Sequence, residues 1–551
     1  MKRTHHAVLA TVLALFASSF CGAADYFLHP VLGNDANAGT TPESPIRTLK
    51  RASDLHLQAG DRVLLASGQQ FAGQLDYEGL AGTLTKPIII STYPSKNGGS
   101  GSRANIDAKG RVAGVSLKNC AHVVIENLLI TANAGGMEPG SRAKAGMRCG
   151  VLIEADKAGE YEGFKIANIV VTDVFFEEPG FARPSNEVKS ANGTQSYGWG
   201  IRFIITSPET VMRDISITDC GIANVSHTGL KFTAPRKSLQ NVDVRRLKVL
   251  NTGGPGVQMS GLHGGHFSGL DVNGSGSTDD SRKWGRGSGL WTWSTSDVII
   301  EKSRFQNSNG PGDSAGVHID YHCRNVIVQY ILSANNAGGF CEILGNNYNC
   351  AYRYNVSVND GHRVKGKKDA FQEGKIFWLS GYTGSKSPFK GPFNSYFYNN
   401  TIYVSEDLVA KMSVVPTARG VLVANNIFYI RGDSKSVSGD QLKRETKRGA
   451  APTNVIFKNN LFLDRRNWPA DLSIQDQSPV VGNPEFKNGG GIDIAGYLPR
   501  NASLVRDKGI QIPRLPGDEI GLIGGLDMKT DILGNPIRNQ PDMGAIELPA
   551  N

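Results

Sequence analysis

Asp320 and Glu342 are the residues of this 551-residue chain whose type and placing most suggest chemistry. Each closes a five-residue phrase, Gly316-Val317-His318-Ile319-Asp320 and Gly338-Gly339-Phe340-Cys341-Glu342. Alternate residues of a strand share a face, so Val317 and Ile319 turned into a core leave His318 and Asp320 facing outward. If the two phrases stack as neighbouring strands, a spacing of about 4.8 Å puts the two carboxyls roughly 5 Å apart. That is the gap of a retaining glycoside hydrolase, about 5–5.5 Å, and not the wider gap that an inverting enzyme needs for water. Mutual repulsion then raises one pKa, leaving one group an acid and the other a nucleophile.

The remaining outward positions of the same phrase supply the surroundings. Its third position reads Arg202, Lys231, Gln258, Trp291, His318 and Phe340, and its fifth reads Ile204, Thr233, Ser260, Trp293, Asp320 and Glu342. Trp291, Trp293, His318 and Phe340 are expected to line one groove with the acidic pair, because a flat indole suits the apolar face of a sugar ring. The alternative for the tryptophans is burial beneath the insertion at 271–288. Arg202, Lys231, His318 and Arg363 form a basic set able to neutralise a uronate, which would suit a lyase or epimerase that takes the C5 proton. A third class is a noncatalytic polysaccharide-binding solenoid. No metal and no cofactor are expected: Ca²⁺ needs six to eight oxygens or so and only the acidic pair converges, so Ca²⁺ is kept as the alternative occupant. His263 and His266, in a glycine-rich turn, read as structural first and as subsite residues second. Asp279, Asp280 and Asp313 fall in loops, as candidates for the rim.

These side chains need a scaffold that repeats. The phrase recurs from Gly114, Gly150, Gly200, Gly229, Gly256 and Gly289, and again at Gly374, with steps of 22 to 36 residues from Gly200 onward. Each unit also carries a second short strand and turn residues, as in Asn325-Val-Ile-Val-Gln-Tyr330 before Asn335-Asn336. That length and pattern predict an all-β parallel β-helix, with coils over about 101–480 that are nearly unbroken to 460. Val317, Ile319, Met259 and Phe232 should point inward. The pairs Asn335-Asn336, Asn399-Asn400 and Asn425-Asn426 should serve the turns, since Asn tolerates left-handed geometry and bonds along a stack. Insertions at 133–148, 178–199, 271–288 and 361–373 should shape the binding side. Residues 25–100 read as an N-terminal strand-and-helix cap with the first coils, and 481–551 as a C-terminal capping segment.

The chain opens with Lys2, Arg3, an apolar run from Ala7 to Phe16 and a small-residue exit at Gly22-Ala23-Ala24, the pattern of a secretory signal peptide spanning 1–24. A secreted or periplasmic location follows, with no transmembrane segment. The formal charge is +9, or +7 without Lys2 and Arg3, which suits an anionic polysaccharide without requiring one. Six cysteines remain after the leader, free to pair in an oxidising compartment but not obliged to. Nucleic acid is not expected as a partner, since no binding module is recognisable, and a monomer acting on a polysaccharide or oligosaccharide is expected.

Three resemblances bear on this reading. The order of elements in 25–100 is similar to the opening of pectate-lyase-like right-handed β-helix proteins, which implies a right-handed solenoid. Asp320 in Val-His-Ile-Asp-Tyr and Glu342 in Phe-Cys-Glu-Ile, with an Asn-rich turn between, resemble the catalytic region of β-helical β-xylosidases. That resemblance implies Asp320 as nucleophile and Glu342 as acid/base. Trp291 stands where a further acidic substrate contact would be sought, and the family's inserted β-sandwich is absent. Asp320-Tyr321-His322 is similar to the Asp-Pro-His phrase of β-helical mannuronan C5-epimerases, which would make His322 a substrate-binding residue.

Overall fold

The computed structural model describes residues 22–549 except 96–98, 100, 134–147, 175–197, 277–286, 369, 385–386, 439–450 and 473. The expected signal peptide lies almost wholly outside the described residues, as do Asp279, Asp280 and most of the first three insertions. Among the described residues the chain winds into a right-handed parallel β-helix of three long sheets, with 14, 12 and 14 strands. Pairing between the strands of these sheets is parallel throughout, as between Val257–Ser260, Leu290–Trp293 and Val317–Ile319. The five-residue phrases form the 12-stranded sheet, and the short strands after each turn form the other two.

Period-2 alternation produces the core. Val317, Ile319, Met259 and Phe232 are fully buried inside the coils, as the alternation predicts. Phe203 and Phe232 stack at 5.2 Å between centroids across adjacent coils, each covering the apolar face of the next. The glycine that opens each phrase sits at an interior corner where there is no room for a side chain. A Cβ at Gly256 would lie 2.3 Å from Val272 Cγ1, and one at Gly289 would lie 2.6 Å from the Gly316 carbonyl oxygen.

Asparagines hold the turns along one side of the stack. The side-chain oxygens of Asn400, Asn426 and Asn460 accept the backbone N–H of Asn355, Asn400 and Asn426 respectively, at 3.1, 2.9 and 3.0 Å. Asp476 ends this ladder by accepting from the Asn460 side chain at 2.6 Å. An adjoining row, Asn399, Asn425 and Asn459, takes the left-handed conformation with φ of 50°, 57° and 58°. The six described cysteines are all free and buried, behaving as small core residues.

At the N-terminal end a short helix, Leu49–Ser53, buries Leu49 and Ala52 against the first coil, with Thr48 as its N-cap. At the other end Trp468 packs edge-on against Phe428, Phe457 and Phe462 and closes the interior. The segment after Val480–Val481 runs back along the flank of the coils instead of stopping at that end. Asp518 accepts from Tyr396 Oη at 2.5 Å, and the Thr530 carbonyl accepts from Tyr330 Oη at 2.7 Å. Its apolar residues Ile512, Leu515 and Leu522 cover Tyr354, Tyr396 and Tyr398 on the outside of the sheet.

Candidate active site

The central feature is a file of outward side chains on the 12-stranded sheet. Register places Arg202 beside Lys231, Lys231 beside Gln258, Gln258 beside Trp291 and Trp291 beside His318. Ile319 pairs with Ile343, so the residue beside His318 is Glu342, and Trp378 follows Glu342. This corrects the expected equivalence of Asp320 and Glu342. The bridge from Ala315 to Gly339 aligns Gly316 with Phe340, two residues beyond the alignment suggested by the repeated glycine. Asp320 and Glu342 therefore face outward on neighbouring strands but diagonally. A strand spacing of about 4.8 Å and an offset of two residues at about 3.3 Å each put their Cα atoms about 8 Å apart.

The same shift corrects Phe340. It occupies the interior corner that glycine holds in the preceding coils, is fully buried, and packs against Tyr352 and Phe397 at 5.6 and 5.9 Å. It is a core residue and takes no part in the groove.

Around the acidic residues the contacts are specific. Trp291 is buried; its Nε1 donates to Asp320 Oδ2 at 2.7 Å, and its ring stacks on His318 at 5.8 Å with an interplanar angle of 12°. The Tyr321 backbone N–H donates to Asp320 Oδ1 at 2.6 Å. Each oxygen of Asp320 thus has a fixed donor, the environment that suits a carboxylate. The backbone just before it is held too: buried Asn347 donates to the Ile319 carbonyl and accepts from the Cys323 N–H. Glu342 is 3% exposed, with Oε1 3.4 Å from His318 Nε2. Burial is the first cause that raises its pKa well above the ordinary carboxylate value, and the charges of Asp313 and Asp320 raise it further. Lys375 and Arg363 oppose that shift without cancelling it.

The other expected site residues fall in four places. Trp293, 37% exposed, meets Tyr321 edge-on at 5.3 Å and offers a surface at the rim. His322 follows on the same turn against Tyr321, its pKa lowered by burial and then by Arg236, Arg324 and Lys390. Arg363 is buried and donates to the carbonyls of Gln372, Gly310 and Asp313 at 2.9 to 3.0 Å, which ties the loop at 310–313 to the segment before Gly374. Arg202 and Lys231 stand five and four strands from Glu342, too far to neutralise a group reacting at Asp320. His263 and His266 lie on a different sheet, facing Asp297, Asp243 and Glu301.

Lys375, not singled out from the sequence, and Asp313, read there only as a rim candidate, complete the environment. Lys375 is 1% exposed, with Nζ 3.9 Å over the ring of Trp378, and it is a cation acting on Glu342. A lysine opening the apolar strand Lys375–Leu379 was the available signal. Asp313, expected only at the rim, is buried and is the strongest charge that raises the Glu342 pKa. Among the described residues no cluster of His, Cys, Asp and Glu could hold a metal ion, and no helix is long and apolar enough to cross a membrane.

Comparison with known proteins adds the following. No protein-family profile matches the chain. A lacto-N-biosidase of Bifidobacterium longum subsp. longum is 24% identical over 642 aligned positions, taking in 96% of this chain and 37% of the relative. Among solved structures, a GH136 lacto-N-biosidase from Eubacterium ramulus is similar at 16% identity, with a TM-score of 0.49, covering 83% of this chain and 68% of that one. The pectate lyase Pel9A is similar at 13% identity, with a TM-score of 0.37, covering 96% and 97%. The β-helical architecture rests on the chain's own strand pairing.

Proposed function

We propose that this chain is an exported glycoside hydrolase that cleaves an oligosaccharide with retention of configuration. Asp320 attacks the anomeric carbon as the glycosidic bond breaks, while Glu342 gives its proton to the departing oxygen. Glu342, now ionised, then takes a proton from water, whose oxygen displaces Asp320 from the sugar. The observation that carries this reading is the contrast in environment: Glu342 buried with a raised pKa, and Asp320 held by two donors. Two carboxyls whose surroundings push them apart divide naturally into acid and nucleophile. The longer side chain of Glu342 can close the diagonal offset of the backbones.

The likeness to a lacto-N-biosidase across nearly the whole chain supports hydrolysis of a sugar linkage, and an oligosaccharide over a long polymer. The residues at 2–24 support export. A lyase or epimerase reading is the weaker one, because the basic pair that would neutralise a uronate lies several strands away.

The test is hydrolysis of a panel of oligosaccharides followed by proton NMR in the first minutes. The expected first product keeps the anomeric configuration of the substrate, and ultraviolet absorbance near the unsaturated uronate band stays flat. An inverted first product would make Asp320 a base for water. A growing ultraviolet signal would replace hydrolysis with elimination.

A further inference from the structure

The other end of the outward file is a separate polar patch. Arg202 and Lys231 sit side by side on neighbouring strands, with Gln258 next and Thr233 two residues along from Lys231 on the same face. Trp199 orders the cations: the Arg202 guanidinium lies 3.8 Å over its ring and the Lys231 ammonium 5.8 Å from it, while His227 lies tilted against it at 5.2 Å. Four polar atoms here are buried without a hydrogen-bond partner among the described residues: Trp199 Nε1, Arg202 Nε, Thr233 Oγ1 and Gln258 Oε1. Buried polar groups are nearly always satisfied, so several orphans in one patch call for a missing partner. Among the described residues neither Arg202 nor Lys231 forms a salt bridge, and Glu154 acts on Arg202 only from a distance. A buried guanidinium beside a half-buried ammonium is costly without an anion. Burial and the neighbouring guanidinium accordingly push the Lys231 ammonium down to about 7.

We propose that Arg202, Lys231, Thr233 and Gln258 form a distal subsite for an anionic sugar unit, one bearing a carboxylate or a sulfate. This rests on the oligosaccharide-hydrolase reading of the same file of residues. The anion accepts from Arg202 and Lys231, and a sugar hydroxyl donates to the Gln258 side-chain oxygen. At about 4.8 Å per strand, Lys231 stands about 19 Å and Arg202 about 24 Å from Glu342, a span that a short oligosaccharide bridges. Gln258, Trp291 and His318 occupy the file between the two ends. The substrate so selected has a neutral linkage at the acid and a charged unit several rings away.

The experiment is binding of matched oligosaccharides of equal length, one neutral, one uronate-tipped and one sulfate-tipped, by calorimetry on the full chain carrying Asp320→Asn. The expected result is tighter binding of at least one anionic ligand than of the neutral one, by about tenfold or more, with the advantage shrinking as salt is raised. Which tip wins identifies carboxylate or sulfate. In Lys231→Gln and Arg202→Gln, both added to Asp320→Asn and checked for folding by thermal melting, that advantage should collapse. Should Arg202→Gln fail to fold, Lys231→Gln alone decides, because its ammonium makes no hydrogen bond that holds the coil. Equal binding of all three ligands, or an anionic preference that survives Lys231→Gln, overturns the proposal. Because binding is read without turnover, an anionic preference in a protein that hydrolyses nothing would leave this subsite standing and remove only the hydrolase reading.

Discussion

The two ends of one file of side chains handle buried charge in opposite ways. At Glu342 a carboxyl is taken out of water beside two other acids, and the proton it keeps makes burial tolerable. At Arg202 and Lys231 a buried guanidinium stands beside a half-buried ammonium, and an aromatic ring is the partner the fold supplies. The backbone is the same parallel ladder at both ends, so the difference comes from the side chains and from the strands flanking the sheet. A solenoid thus decouples its sites: each strand contributes one outward residue to the file, and its environment is set by the next coil on either side. Chemistry at one end and recognition at the other can be altered independently, and this is what the following experiments attack.

The largest effect is expected at the acidic end. Asp320→Asn removes the proposed nucleophile and should lower kcat by about 10⁴-fold or more. Glu342→Gln removes the proposed proton donor and should lower kcat by about 10²- to 10⁴-fold on a natural linkage, yet far less on an aryl glycoside whose leaving group departs unprotonated. Steady-state kinetics on the two substrate types separates the roles. If Glu342→Gln slowed both substrates equally, Glu342 would not be the acid, and the contrast between the two ends would lose its chemical half.

Next in size is a test of the register that sets the file. Phe340→Ala should destabilise the protein by about 3–5 kcal/mol, because it empties an interior corner packed by Tyr352 and Phe397. Phe340→Leu should recover most of that loss and leave KM near the parent value. Denaturant melts with kinetics on the Leu variant check both. A large rise in KM in a stable Phe340→Leu protein would put Phe340 back in the groove and the carboxyls back in direct register.

The architecture was legible because it is written in local rules repeated many times. Alternation placed Val317, Ile319, Met259 and Phe232 inside, and the Asn pairs marked the turns. Asp320, Glu342, His318 and Trp291 were readable as outward neighbours for the same reason. What failed was the register of a single coil. Gly338 and Gly339 imitate the opening glycine, but Phe340 holds that place, and a repeat shortened in this way gives no hint from composition alone. Lys375 was missed, and Asp313 was read only as a rim residue, because their effect on Glu342 is made across the fold, by a strand and a loop distant in sequence. Arg363 was read by its charge, whereas its geometry is that of a donor to three carbonyls.

The smallest effect tests the buried proton itself. The pKa of Glu342 is raised in the folded protein, so between its ordinary value of 4.5 and that raised value the folded state holds a proton that the unfolded state has lost. With more protons bound in the folded state, stability falls as pH rises, by about 1.4 kcal/mol per pH unit at most across that window. Below the ordinary value both states are protonated and the contribution is full; above the folded value the loss is complete. Asp360 and Glu547 are raised in the same direction, to about 7 and about 8, and would blur a measurement on the parent protein alone. They are unchanged in Glu342→Gln, so the difference in unfolding free energy between parent and variant isolates the one carboxyl. That difference should drift in favour of the variant as pH is raised from 4 through neutrality, because glutamine has no proton to lose. The same loss of the Glu342 proton should form the alkaline limb of the kcat profile, which ties the stability drift to the chemistry. A difference that stays flat with pH would mean that Glu342 ionises in place as an ordinary carboxylate, and the acid would have to be sought elsewhere on the file.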